Sequence, residues 1–394
     1  MKTKIIRKSL ILLCLLLMSF LPISNLCLQR IEIVSANYIP TSSAQGMCVI
    51  EKESRRVLYS KNKDQKLPMA STTKVVTAIT AIENCDNLDE MIVVNERSVG
   101  VEGTSIYLRK DEEIKVIDLL YGLMLRSGND SATALAYHIG GSVDDFAKMM
   151  NETAKKAGAN NSNFVNPHGL DDPNHYTTAY DLAKITAYAL NNPIFAKIVS
   201  TKNYVIEATN KSDKRYLSNK NKLLSSLEGC CGVKTGFTSK AGRCLVSASK
   251  RNDCTIVCVV LNCGPMFEES SALINSAFDE FEFKKIIDKE KEIYNEYILS
   301  EKEGKLYLYT DEDFCYPLRS DEFKDVKINY SVDLKDAKSG DEVGKEVGKI
   351  DIFFKNDLIK SLKLYTMNKI DKLLDNKTLQ IEEILWEENI DENQ

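Results

Sequence analysis

The sequence predicts an α/β fold: a domain whose first and last strands share one antiparallel sheet beside a helical lobe, followed by a small β-rich domain. Three observations lead there. Gly46 to Leu58 alternates and then runs apolar (Met47, Val49, Val57). The middle of the chain repeats apolar residues at helical spacing. Cys244 to Ala248 and Thr255 to Leu261 are β-type runs separated by the polar Lys250-Arg251-Asn252-Asp253.

Taking the elements in order, Lys2, Lys4, Arg7 and Lys8 precede an apolar run from Leu10 to Leu21, and Val34-Ser35-Ala36 follows. That is the three-part pattern of a secretory leader over residues 1–36, too short for a membrane span. The mature chain is expected outside the cytoplasm, in the cell wall or on the outer face of the cytoplasmic membrane. A catalytic domain is expected over 37–287. It opens with a hairpin ending near Lys61 to Lys66, and Pro68 then suits the start of a helix that holds Ser71 in its first turn. Val116, Ile117, Leu120, Leu123 and Met124 mark helix within Ile114 to Leu125, and Ala132 to Ile139 and Asp144 to Ala157 continue it. The β-type runs form a hairpin, and a closing helix is expected from Phe267 to Ile287. From Ile293 the texture turns to short charged strands (Lys305 to Tyr309, Val326 to Val332, Lys349 to Phe354), giving a β-rich domain over 293–370 with Lys338-Ser339-Gly340-Asp341 as a turn. The remaining 371–394 reads as an acidic tail, a poor match to the basic amphipathic helix that favours anionic membranes.

Composition narrows the function. The 394 residues are 43% hydrophobic and 28% charged, with only 18 Gly and 8 Pro, which excludes collagenous and low-complexity classes. A net charge of −5 without clustered Lys/Arg gives no nucleic-acid partner. The histidines are His138, His168 and His175, so a three-imidazole zinc site would need them all. Eleven cysteines, less Cys14 and Cys27 in the leader, leave nine, so at least one thiol is unpaired. Cys230, Cys231, Cys254, Cys258 and Cys263 lack paired C-x-x-C spacing and read as small hydrophobes, not a zinc site.

Three motifs carry chemistry as an ordered set: Ser71-Thr72-Thr73-Lys74 (S-x-x-K), Ser127-Gly128-Asn129 (S-x-N) and Lys234-Thr235-Gly236 (K-T-G). S-x-x-K alone is weak, since Ser60 to Lys63 and Ser247 to Lys250 repeat it as a solvated loop and a strand end. Only the Ser71 copy starts a helix and precedes the other two motifs. Residues three apart on a helix are neighbours, so Lys74 reaches the Ser71 hydroxyl. Lysine serves as base once burial or a neighbouring cation lowers its pKa, and Lys234 supplies that second charge. Ser127 relays a proton between Lys74 and the leaving amine, and the Asn129 amide bonds the substrate backbone. Lys234 and Thr235 face a terminal carboxylate, and Gly236 lets the edge strand approach it closely. His138, on a helix, reads as structural.

With these residues the chain resembles the penicillin-recognising serine D,D-peptidases, in particular the low-molecular-mass D-alanyl-D-alanine carboxypeptidases. Asn166-Pro167-His168-Gly169-Leu170, Tyr176 to Asp181 and Ala241-Gly242-Arg243-Cys244 look like landmarks of that family, and the β-rich domain looks like its accessory domain. The resemblance implies a fold of the serine β-lactamase/D,D-peptidase type, with the N–H groups of Ser71 and Phe237 as oxyanion hole. It further implies attack by Ser71 on the D-Ala-D-Ala amide of peptidoglycan stem peptides, acylation by β-lactam antibiotics, and no metal or organic cofactor. Family members often end in a basic membrane anchor, which the acidic tail does not match. Two alternatives stay open. A class A β-lactamase uses the same motifs plus a glutamate between S-x-N and K-T-G that activates the deacylating water, and no Glu occurs from Thr153 to Ile206. A non-catalytic wall-binding protein or β-lactam sensor would keep the pocket without turnover, against which intact Ser71, Lys74 and Ser127 argue.

Overall fold

A computed structural model describes residues 42–289, 293–295, 306–333, 344–366 and 378–384. The expected leader, the Lys338-Ser339-Gly340 turn and most of the expected tail lie outside them. In chain order, strands β1 (Gly46–Glu51) and β2 (Val57–Lys61) precede helix α1 (Lys74–Glu83) and the hairpin β3 (Met91–Val93) and β4 (Glu113–Lys115). Helices α2 (Val116–Tyr121), α3 (Asn129–Gly140), α4 (Val143–Lys156), α5 (Ala179–Leu190) and α6 (Pro193–Ser200) follow. A second hairpin, β5 (Asn203–Ile206) and β6 (Arg215–Ser218), leads through the short α7 (Leu223–Ser226) to β7 (Cys230–Thr238), β8 (Gly242–Arg251), β9 (Cys254–Leu261) and α8 (Met266–Glu280).

The early and late strands form one antiparallel sheet in the order β2-β1-β9-β8-β7, as the sequence predicts. Strand β9 is buried along its whole length, and its side chains alternate between two cores. Val257, Val259 and Leu261 join the core of the helical lobe, whereas Ile256, Cys258 and Val260 join a second core under α8. Helix α1 is buried from Lys74 to Ile82, the signature of a core helix. By contrast α4 buries one stripe (Phe146, Ala147, Met150, Thr153, Ala154), and the Ser142 side chain caps it by accepting the Asp145 N–H at 3.0 Å. Among the described residues no helix is long and apolar enough to cross a membrane.

The closing helix ends earlier than expected. It stops at Glu280, and Glu282–Ile287 is strand β10, paired antiparallel with β13 (Phe314–Leu318). No Gly or Pro lies between Met266 and Ile287 to signal a stop, so the apolar spacing runs on in the sequence while pairing with a distant strand decides the structure. Beyond β10, strands β11 (Ile293–Asn295), β12 (Leu306–Tyr309), β14 (Val326–Asp333), β15 (Glu346–Phe354), β16 (Asp357–Thr366) and β17 (Thr378–Ile384) form a six-stranded antiparallel sheet. Strand β17 lies in the segment that the sequence alone reads as tail. It pairs with β14 along its full length.

The two domains meet at the β1–β2 turn. Arg56 donates to both oxygens of Glu322 (2.8 and 2.6 Å) and to the Pro317 carbonyl. Its guanidinium lies 4.5, 5.1 and 5.4 Å from the ring centres of Phe354, Tyr316 and Phe281.

Candidate active site

Ser71 sits in a single 3₁₀ turn, Ala70–Thr73, that runs directly into α1. Ala70 is buried in the left-handed region (φ 49°), so the turn is held from outside. Two glycines do the holding. A Cβ on Gly169 would run into the Ala70 carbonyl, and one on Gly236 would lie 3.0 to 3.1 Å from Met69 O, Thr72 N and Ser71 N. The loop of Gly169 and the edge strand β7 therefore clamp the nucleophile turn backbone to backbone, an approach only glycine permits.

One turn on, Lys74 is fully buried, with its Nζ 3.0 Å from Ser71 Oγ, 2.7 Å from Asn129 Oδ1 and 2.5 Å from the His168 carbonyl. Burial, then the nearby Lys234 and Lys220, hold its pKa well below the usual lysine value. Two of its three partners are pure acceptors. A neutral amine gives them its two N–H groups and turns its lone pair to the Ser71 hydroxyl. The geometry thus suits lysine as a base.

Residues Gly122–Arg126 form a wide π-type turn that ends with Ser127 in the left-handed conformation (φ 65°), and α3 starts at Asn129. Buried Asp130 pins the facing loop, accepting from Ser105 Oγ and from the Ile106 and Leu108 N–H groups. Thr104 ties that loop to the motif, donating its hydroxyl to Ser127 O (2.6 Å) and accepting the Asn129 N–H (2.7 Å). The Asn129 side chain points inward, its oxygen on Lys74 and its amide donating to the Glu102 carbonyl. One amide hydrogen remains for a substrate.

On β7, Lys234 is 1% exposed and donates to the Thr235 carbonyl at 2.8 Å. Burial, then Lys220, lowers its pKa to about 7. Thr235 and Gly236 pair with Leu245 and Cys244 of β8, and Phe237 beyond them is 67% exposed. Lys220 is the residue sequence reasoning missed. It stands in the polar run Ser218-Asn219-Lys220-Asn221 with no motif around it, and only the fold brings it beside the two motif lysines. Lys220 and Lys234 put positive charge into the pocket beside Lys74, which attracts a carboxylate.

The histidines do not supply the base. Burial holds His168 at about 3 and His175 at about 4, so both are neutral at pH 7. His175 Nδ1 accepts the Val165 N–H, so Nε2 carries the proton and donates to Thr73 Oγ1 (2.8 Å). The carboxylates between Thr153 and Ile206 are engaged as well. Asp171 accepts the Thr238 hydroxyl, Asp172 the Asn174 N–H, and Asp181 the Asn161 N–H, the Ser162 hydroxyl and the Lys184 ammonium.

All the site residues named from the sequence lie on three elements that meet: the α1 entry, the α3 entry and β7. Comparison with known proteins places this assembly. Residues 33–264 match the family model of peptidase S11, D-alanyl-D-alanine carboxypeptidase, and residues 281–372 match that of the penicillin-binding protein 5 C-terminal domain. The D-alanyl-D-alanine carboxypeptidase DacF of Bacillus subtilis is 30% identical over 77% of this chain and 80% of its own. Penicillin-binding protein 5 from Haemophilus influenzae superposes with a TM-score of 0.68 at 28% identity, over 84% of this chain and 99% of its own. The Streptomyces K15 DD-transpeptidase does so with a TM-score of 0.58 at 31% identity, over 61% of this chain and 98% of its own. A serine and a buried lysine clamped between a helical lobe and an edge strand are thus housed in a shared fold, and the chain belongs to the peptidase S11 family of D-alanyl-D-alanine carboxypeptidases.

Proposed function

We propose that this chain is a serine-type D-Ala-D-Ala carboxypeptidase that trims peptidoglycan stem peptides outside the cytoplasm and is acylated by β-lactams. The observation that carries the mechanism is Lys74, whose Nζ lies 3.0 Å from Ser71 Oγ and also meets Asn129 Oδ1 and the His168 carbonyl, so that once neutral it gives its two N–H groups to those acceptors and its lone pair to Ser71. Lys74 takes the Ser71 proton as Oγ attacks the penultimate D-alanine carbonyl. The oxyanion forms against the N–H groups of Ser71 and Phe237, with Gly236 holding strand and turn in contact. Ser127 passes the proton from Lys74 to the departing D-alanine amine. Protonated Lys234 and Thr235 hold the terminal carboxylate, with Lys220 adding to the field. Asn129 positions Lys74 and offers its free amide hydrogen to the peptide backbone. Water then hydrolyses the acyl-enzyme, and with Asp171, Asp172 and Asp181 all engaged elsewhere, that step is slow for a bulky penicilloyl group.

Intact-protein mass spectrometry with benzylpenicillin tests this. A single long-lived adduct that Ser71→Ala abolishes supports the reading. An adduct that vanishes while penicillin is consumed points to a β-lactamase, and no adduct at all to a non-catalytic binder. Release of D-alanine from a D-Ala-D-Ala peptide completes the assignment.

A further inference from the structure

Far from Ser71, the C-terminal ends of α1 and α3 bring together a donor set that the peptidase chemistry does not use. Cys85 follows the last turn of α1, His138 lies in the last turn of α3, and Glu90 stands in the loop between α1 and β3. Glu90 Oε1 is 2.8 Å from His138 Nε2 and 3.3 Å from Cys85 Sγ, and all three donor atoms lie within 4.8 Å of one another. Among the described residues this is the one group of three metal-ligating side chains so close together.

We propose that Cys85, Glu90 and His138 form a binding site for a divalent transition-metal ion of the zinc class, which clips the far ends of α1 and α3 together. The spacing fits. Tetrahedral zinc with S, N and O ligands sets its donors about 3.3 to 3.6 Å apart, so the Glu90–His138 pair opens by about 0.5 to 0.8 Å and the Glu90–Cys85 pair by at most about 0.3 Å. The scaffold is fixed. The Glu90 N–H donates to Asn87 O (3.1 Å), Glu90 O accepts the Val116 N–H (3.2 Å), and Ile117 N donates to Leu88 O (2.8 Å), so the loop is stitched to the start of α2. Two helix C-termini, each with partial negative charge, close on the same place and favour a cation there. Metal binding replaces the thiol proton, which leaves to solvent as the metal–sulfur bond forms. The same two helices begin at the active site with Lys74 and Asn129, about 15 Å away along their axes. The clip would therefore stiffen the supports of the machinery without touching it.

The test titrates the reduced, chelator-treated full chain with Zn²⁺ while following its melting temperature, and with Co²⁺ while following the thiolate-to-cobalt charge-transfer band. One equivalent of Co²⁺ with tetrahedral visible bands and a Zn²⁺-dependent rise in melting temperature are expected. Cys85→Ser should abolish the charge-transfer band, and His138→Ala should weaken Zn²⁺ binding at least about tenfold, since loss of mere supporting partners already does so. Cys315→Ser, which removes an exposed thiol elsewhere, should change neither. Should Cys85→Ser fail to fold, His138→Gln carries the same comparison, with penicillin acylation as the check on folding. A band that survives Cys85→Ser, a Zn²⁺ affinity indifferent to the His138 substitutions, or no binding at all overturns the proposal.

Discussion

Two regions of the molecule, the domain junction and the candidate active site, treat buried basic side chains in opposite ways. At the domain junction Arg56 meets a bidentate carboxylate, a carbonyl and three aromatic rings. In the active site Lys74 and Lys234 are more deeply buried, and their side-chain nitrogens contact only neutral oxygens. Glu322 answers the charge of Arg56, and although burial opposes ionisation, the Arg319 N–H and Arg56 hold its carboxyl below the usual range. Among the described residues no carboxylate pairs with Lys234, whose pKa falls to about 7. A buried cation that is paired becomes an adhesive, whereas one left unpaired becomes a reagent.

The sharpest way to break that contrast is Lys74→Arg, which puts a permanent charge where the protein holds an amine of lowered pKa. Acylation by benzylpenicillin should slow by about 10³-fold, with a lower melting temperature from the unpaired charge in a fully buried site. Acylation near the wild-type rate would remove Lys74 as base. Next comes Arg56→Ala, which removes the bidentate partner of Glu322 and leaves it the Arg319 N–H and Lys355. Loss of about 3 kcal/mol in urea unfolding is expected, with the acylation rate constant unaltered, and a change in acylation would show the two regions to be coupled.

A third test uses pH. Because Lys234 titrates near 7 in the folded protein and near 10.5 unfolded, the unfolded chain holds the extra proton between those values. Stability therefore rises with pH across that window, and the penalty of burying the charge is complete below about 7. Lys234→Met should stabilise the protein at pH 6 by about 1 to 2 kcal/mol, a gain that shrinks towards pH 10, while peptide turnover is lost. A pH-independent difference would mean that the Lys234 ammonium is solvated. The smallest effect belongs to exposed pairs such as Lys110 with Glu96, 2.9 Å apart, where Lys110→Ala should change stability by less than about 0.5 kcal/mol.

What the sequence reveals follows how local the cause is. Ser71 and Lys74 are legible because one helical turn joins them, and the sheet is legible because Cys244 to Ala248 and Thr255 to Leu261 are β-type runs split by the polar Lys250-Arg251-Asn252-Asp253. Lys220, the Glu102 carbonyl and the inward pose of Asn129 were not, since each depends on chain segments far apart in sequence meeting in space. Arg56 is a basic residue in a polar turn until Glu322, 266 positions later, defines it. The end of α8 escaped for the same reason: Glu282–Ile287 is a strand only because Phe314–Leu318 offers it an edge.

The order of the central sheet carries one more consequence. The junction residue lies at the β1–β2 edge and the K-T-G motif on β7 at the opposite edge, four strand spacings or about 19 Å across. Chemistry and attachment thus occupy opposite margins of one rigid plate. Selection can lengthen, reorient or exchange the second domain without disturbing the edge strand that carries Lys234.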